Sequence, residues 1–165
     1  MSGSAFSSIH GSAVRVGDRA VLIRGDSGAG KSRLAFELVL AGRAGQLPPA
    51  VLVGDDRVLL ATHGGELVVR SVPELAGLIE VRGLGIRRCD FVREAAVGLV
   101  VDLAALDATR LPLPEALQTT LFGVLLPRIP VAAGQNPFPL VVAALMTTAS
   151  SSSGKPSGHC VQGNC

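Results

Sequence analysis

The sequence predicts an α/β domain: a central mixed sheet with several antiparallel strands, few helices and a phosphate-binding loop of the Walker A type. Three observations predict it. Short apolar runs recur along the chain with glycine or proline between them, the spacing of strands and turns. One stretch, Lys31 to Ala41, places Leu34, Ala35, Leu38 and Val39 on a single helical face. Between the apolar run Ala20-Val21-Leu22-Ile23 and that helix lies Gly25-Asp26-Ser27-Gly28-Ala29-Gly30-Lys31-Ser32, a complete Walker A pattern in the right context.

The elements follow in order. Ile9 to Val16 alternates and predicts a strand, Gly17-Asp18 a tight turn, and Arg19 to Arg24 a returning strand. The helix from Lys31 is expected to stop at Gly42, because glycine commonly ends helices. Val51-Leu52-Val53 predicts a buried strand ending at Gly54-Asp55-Asp56. Val58 to Ala61 and Glu66 to Val69 flank His63-Gly64-Gly65, a hairpin signature, and Pro73 to Gly77 allows one helical turn. Ile79 to Val81 and Val97 to Leu103 read as strands, and Pro112 and Pro114 mark a loop. Thr120 to Leu125 and Arg128 to Val131 read as two short strands, and Pro137 to Ala149 as an apolar closing helix. The Ser- and Gly-rich stretch 150–165 lacks apolar periodicity and is expected to be a disordered tail behind a domain of residues 1–149.

Composition narrows the function classes. At 165 residues the chain is one domain's length, and 48% hydrophobic residues suffice for a core without staples. With no Trp or Tyr and five Phe, that core must consist of Val, Leu, Ile and Ala. Net charge is +2 with scattered arginines, which argues against a nucleic-acid partner. The apolar run Leu140 to Met146 is far short of the ~20 residues that span a bilayer, and Met1 to Ser8 lacks a signal-peptide pattern. Three cysteines, Cys89, Cys160 and Cys165, cannot close a disulfide framework. A soluble cytoplasmic protein with no membrane contact is expected. Cys89 reads as structural, and His159, Cys160 and Cys165 are too few to argue a metal site.

The loop explains its own residues. Glycines let backbone N–H groups point inward at phosphate oxygens, and the helix adds the positive end of its dipole. Lys31, the only lysine before Lys155, supplies a point charge for the outer phosphates, and Ser32 a hydroxyl for Mg²⁺. Gly54-Asp55-Asp56 then delivers two acids from the end of an apolar strand, where metal ligands or a catalytic base belong. Adjacent acids on an extended chain point in different directions, so they are expected to have different tasks.

His10-Gly11, the loop Gly25 to Ser32, Gly54-Asp55-Asp56-Arg57-Val58 and Ile79-Glu80-Val81-Arg82-Gly83-Leu84-Gly85-Ile86 occur in that order. Together they resemble the catalytic domain of the HPr kinase/phosphorylase family, bacterial enzymes that phosphorylate a serine of the phosphocarrier HPr. The resemblance runs from about Ile9 to Arg88. It implies a P-loop kinase domain of the short, alphaproteobacterial form that lacks the N-terminal domain, using ATP and Mg²⁺. It implies that Asp55 is the base toward the acceptor serine, with His10 beside it tuning its protonation, and that Ser32 and Glu80 hold the metal. It places Asp56 and Arg82 in the reaction centre, and Arg110 as an arginine approaching the transferring phosphate.

Two departures bear on activity. The glycine-rich loop that follows the signature in long members shortens to Phe91-Val92-Arg93-Glu94-Ala95-Ala96. A basic Lys-Val-Gly-Arg-Asn stretch becomes Ala132-Ala133-Gly134-Gln135-Asn136 and loses both cations, so weak or absent phosphorylase activity is expected. Two alternatives stand beside this reading: a P-loop small-molecule kinase, or a nucleotide-binding regulator acting through a partner such as a two-component sensor. A homo-oligomer is expected, the uncharged closing helix packing on the sheet or on another subunit.

Overall fold

A computed structural model describes residues 5–150. Ten-residue β9 (Glu94–Leu103) organises them. One edge pairs in parallel with β3 (Arg19–Arg24), in the register Ala20↔Val97 to Arg24↔Asp102. Its early residues Glu94 to Ala96 pair antiparallel with β6 (Glu66–Ser71), and its late residues Val100 to Leu103 pair in parallel with β11 (Val124–Val131). Three neighbours on one strand make the sheet curl. Beyond β3 lie β2 (Ser12–Val16) and β4 (Ala50–Gly54), and beyond β6 lie β5 (Arg57–His63) and β1 (Ser7–His10), all antiparallel. The remaining edge is β10 (Gln118–Leu121), paired with β11, while β7 (Leu78–Val81) and β8 (Gly85–Arg88) form a separate ribbon. Helix α1 (Lys31–Arg43) and the closing helix α2 (Pro137–Met146) are the two α-helices among the described residues.

Both faces of the sheet are covered, which explains why Ala20 to Ile23 is apolar without alternation. Val21 and Ile23 face α1 with Leu34, Leu38, Leu52 and Val101, and Val141 of α2 joins that core. Ala20 and Leu22 face the inside of the curl with Val58, Leu60, Leu67, Val69 and Val100.

Several boundaries differ from the sequence-based expectation. The strand expected over Ile9 to Val16 is two strands broken at Gly11, whose N–H donates to Asp56 O at 3.1 Å and where a Cβ would stand 3.0 Å from Ile23 O. Gly42 does not stop α1. It lies inside the helix, where the missing side chain lets Ala50 of β4 come close (a Cβ there would stand 2.6 Å from Ala50 Cβ), and the chain turns left-handed at Gly45 instead. The pair of strands expected around Arg128 is a hairpin turning at Phe122-Gly123, both at positive φ, so β11 runs unbroken from Val124. An apolar Phe at the first turn position hid that turn. The four-residue strand β8 and a 3₁₀ turn at Pro114–Leu117 had no expected counterpart, and α2 ends at Met146 rather than Ala149. Apart from Ser150, the tail expected over 150–165 lies outside the described residues, as do Lys155, His159, Cys160 and Cys165.

Candidate active site

The loop between β3 and α1 turns on glycines in conformations that other residues rarely adopt. Gly25 passes so close to β9 that a Cβ would stand 3.0 Å from Leu103 Cβ, and Gly30 caps α1 at φ 102. No side chain caps α1 and no acid occupies its first turn, so its N-terminal N–H groups are left to serve an anion. Lys31 Nζ donates to Gly25 O at 2.7 Å and Asp26 O at 2.9 Å, which folds the ammonium over the loop.

A cavity of about 720 Å³ opens against this loop. Residues Gly25 to Ser32 form its floor, and His10, Asp56, Glu80 and Arg82 line it from three other elements. His10 and Asp56 are held together by the backbone: His10 pairs with Arg57, and the neighbouring Gly11 N–H donates to Asp56 O. Asp56 sits at φ 66, a left-handed conformation that aspartate tolerates better than most residues. The β7–β8 ribbon delivers Glu80 and Arg82 to the other wall.

Asp55 is placed differently. It is only 3% exposed and does not line the cavity. Its carboxylate accepts from Ser32 Oγ at 2.8 and 2.9 Å, from Ser12 Oγ at 2.5 Å and from the Glu80 N–H at 3.1 Å. The two adjacent acids thus face different surroundings, one behind the loop serine and one at the cavity wall. Arg110 is also apart: it lies exposed in the segment before Pro112 and does not line the cavity.

Three lining residues escaped the sequence reading: Arg33, Phe36 and Val81. Phe36 could have been found from its spacing, since i+4 from Ser32 shares the helix face that meets the cavity. Ser12 carried no signal at all. Behind the loop, Asp102 of β9 binds Arg24 through two hydrogen bonds at 2.7 and 2.8 Å and accepts from Arg128 Nε at 2.5 Å. Burial opposes ionisation of Asp102, but the hydrogen bonds and charges of Arg24 and Arg128 outweigh it and hold the carboxyl below its usual range. Arg128 also grips Asp107 and Ala116 O, which ties the segment after β9 to the sheet. Cys89 is half-buried, and burial pushes its thiol up, the opposite of an activated nucleophile.

Fold and site together define a mixed-sheet α/β domain built around a strand, a glycine loop and a helix that carries Lys31 and Ser32 on its first turn. The chain belongs to the HPr serine kinase C-terminal domain family, whose model matches residues 4–163. It is 37% identical over 156 residues to the HPr kinase/phosphorylase of Azoarcus sp. (strain BH72), covering 86% of this chain and 47% of that protein. It is 36% identical over 160 residues to the HPr kinase/phosphorylase of Lacticaseibacillus casei (strain BL23), covering 89% and 48%. The chain therefore spans about half the length of these curated relatives. The solved structure of the Hpr(Ser) kinase/phosphatase from Coxiella burnetii shares the fold, with a TM-score of 0.66 at 23% identity over 85% of this chain and 93% of that one.

Proposed function

We propose that this protein is an ATP- and Mg²⁺-dependent kinase that phosphorylates a serine hydroxyl of HPr or an HPr-like phosphocarrier. The observation that carries the reading is the cavity itself: Lys31 and Ser32, the acid Asp56 with His10, and Glu80 with Arg82 line one volume. The family relatives bear the name HPr kinase/phosphorylase, which supports the acceptor. A cavity of about 720 Å³ is in the ~300–1,000 Å³ range of small-ligand sites and suits a nucleotide.

Each residue has work in that reaction. Loop N–H groups and the α1 N-terminus bind phosphate oxygens, while Lys31 leaves its two carbonyls to meet the outer phosphates. Ser32 and Glu80 offer a hydroxyl and a carboxylate to the same cavity, the hard oxygen donors that Mg²⁺ takes. Bound there, Mg²⁺ would neutralise phosphate charge. A carboxylate of the Asp55-Asp56 pair, beside His10, orients the acceptor hydroxyl and takes its proton. Arg82 stabilises charge on the transferring group. The segment 132–136, held as a turn by Gln135 N–H on Ala132 O, brings no cation to the cavity, which fits weak phosphorolysis. We place the reaction in the cytoplasm and expect a homo-oligomer. No helix among the described residues is long and apolar enough to cross a membrane.

The test is to incubate the purified protein with labelled ATP, Mg²⁺ and either HPr-like carriers or a panel of small metabolites. Label on a carrier serine is the expected result. Label on a metabolite alone replaces the acceptor with a small molecule, and nucleotide binding without any transfer replaces the kinase with a regulator.

A further inference from the structure

The central strands β3 and β9 are apolar on both faces. Val21, Ile23, Leu99 and Val101 are buried toward α1, and Ala20, Leu22 and Val100 toward the inside of the curl. A one-residue slip between two such strands exchanges one set of apolar side chains for another, so the hydrophobic pattern specifies their register only weakly. The ladder already contains a slip. Ala20 pairs with Val97 but Val21 pairs with Leu99, which leaves Gly98 of β9 as an extra residue. On its other edge β9 changes partner across that bulge, from β6 at Glu94 to Ala96 to β11 at Val100 to Leu103. Four pairs, Val21↔Leu99 to Arg24↔Asp102, therefore set the alignment at the end where the phosphate loop begins.

The last of these pairs is charged. Asp102 accepts from Arg24 Nε at 2.7 Å and from Arg24 Nη2 at 2.8 Å, a planar fork that forms only when the two strands stand in one alignment. Arg128 Nε of β11 adds a third bond at 2.5 Å, and Arg128 is itself held by Asp107 and Ala116 O. A slip of one residue, about 3.3 Å along a parallel strand, would put Arg24 and Asp102 on opposite faces of the sheet and leave both without the fork. Burying such a pair costs about what the pairing returns, so it selects a register more than it adds stability. The phosphate loop starts at the next residue. Gly25 passes β9 so closely that a Cβ would stand 3.0 Å from Leu103 Cβ and 3.4 Å from Leu103 O, a path that requires Leu103 to lie directly beside it.

We infer that Asp102 is a positioning residue for the phosphate loop: its fork with Arg24, braced by Arg128, locks the register of β3 against β9 at their last pair and thereby sets where Gly25 to Ser32 stand. Neither Arg24 nor Asp102 lines the cavity, so both act through the backbone. The far end of the loop is fixed by α1, whose Leu34 and Leu38 are fully buried in the core. The near end is fixed by the fork. Only with both ends held do the loop N–H groups and Lys31 converge on one point. The inference rests on the nucleotide-binding part of the proposed function and is independent of the acceptor.

The experiment compares the full chain with Arg24→Lys and with the double variant Arg24→Met/Asp102→Leu, which replaces the fork by apolar side chains and leaves Arg128 its Asp107 and Ala116 partners. Three quantities are measured: thermal unfolding, equilibrium binding of a fluorescent ATP analogue with Mg²⁺, and the backbone amide NMR signals of the glycines. The double variant should unfold close to the wild-type temperature, because an apolar pair is an adequate substitute for a buried ion pair in stability. Its affinity for the analogue should nevertheless fall about ten-fold, the worth of one charge-assisted hydrogen bond. The signals of Gly25, Gly28 and Gly30 should split or broaden while those of Gly64 and Gly65, in the distant β5–β6 turn, stay single. Arg24→Lys keeps the charge without the fork and should change the same signals and the affinity in the same direction. It carries the test if the double variant does not fold. Wild-type affinity with single loop-glycine signals, in whichever of the two is folded, overturns the positioning role. Splitting that includes Gly64 and Gly65 overturns it too, since the pair would then serve the fold as a whole. If the wild type binds no analogue, the nucleotide reading fails, while the glycine signals still decide whether the fork holds the loop.

Discussion

Lys31 shows how much one side chain can decide. In the structure its ammonium rests on Gly25 O and Asp26 O, two neutral carbonyls that a phosphate readily replaces. Lys31→Ala should therefore weaken ATP binding and abolish transfer, since a charge-assisted contact to phosphate is lost. Lys31→Arg should fail as well, because a planar fork cannot fold back into a cradle shaped for a compact ammonium. Equilibrium binding of labelled ATP checks both, and wild-type affinity in either variant would contradict the loop's role. Glu80 is a different case: its backbone N–H serves Asp55 while its side chain is exposed to the cavity. Glu80→Gln keeps the backbone contact and removes only the charge, so turnover should fall and recover in part at high Mg²⁺. A transfer rate that Mg²⁺ does not improve would exclude Glu80 as a metal residue.

At the scale of elements, α1 and β9 carry the site, and each makes a prediction. In a helix, Gly→Ala usually gains about 1 kcal/mol. At Gly42 the added Cβ would stand 2.6 Å from both Ala50 Cβ and Ala50 N of β4. Overpacking of that kind costs about 1–3 kcal/mol or more, so Gly42→Ala should lower stability against the propensity trend. A urea midpoint at or above wild type would show that β4 yields. On β9, Asp102 joins Arg24 just before the glycine loop to Arg128 of β11, with its side chain 15% exposed. Asp102→Ala should cost roughly 3 kcal/mol, because Arg24 is left half-buried without its carboxylate and Arg128 keeps only Asp107 and the Ala116 carbonyl. The folded carboxyl titrates below its ordinary value, so its stabilisation is complete above about pH 4 and is lost as pH falls through the depressed value. The gap between wild-type and Asp102→Ala unfolding curves should therefore be constant near neutrality and close in acid. A gap that persists at low pH would mean that packing, not charge, holds the junction.

For the whole molecule the central prediction concerns the direction of the reaction. Phosphorolysis needs positive charge for an additional anion, and the segment Ala132 to Asn136 offers none while lying away from the cavity. Each missing charge-assisted bond is worth about ten-fold or more. Carrier phosphorylation should therefore exceed phosphate-dependent dephosphorylation of the phosphocarrier by well over that factor. Following pyrophosphate release from phosphoserine carrier with excess phosphate and Mg²⁺ measures it, and rapid release would show that another cation serves the second anion.

The sequence by itself determined the parts whose geometry is local. The glycine loop, the start of α1 at Lys31, the Gly64-Gly65 hairpin turn and the delivery of two acids after β4 all follow from residues within a few positions of one another. Local rules also misplaced what distant contacts control. Gly42 serves close packing of α1 on Ala50 instead of ending the helix, and Gly11 breaks a strand because Ile23 O and Asp56 O stand beside it. Tertiary structure alone decided which acid is buried. Asp55 and Asp56 are chemically identical neighbours, and their difference arises when sheet register brings Ser12 to within 2.5 Å of one and Gly11 to the backbone of the other. Hydrogen-bond partners 25 to 43 residues away, at Glu80 and Ser12, set that choice, and no pattern read along the chain contains them.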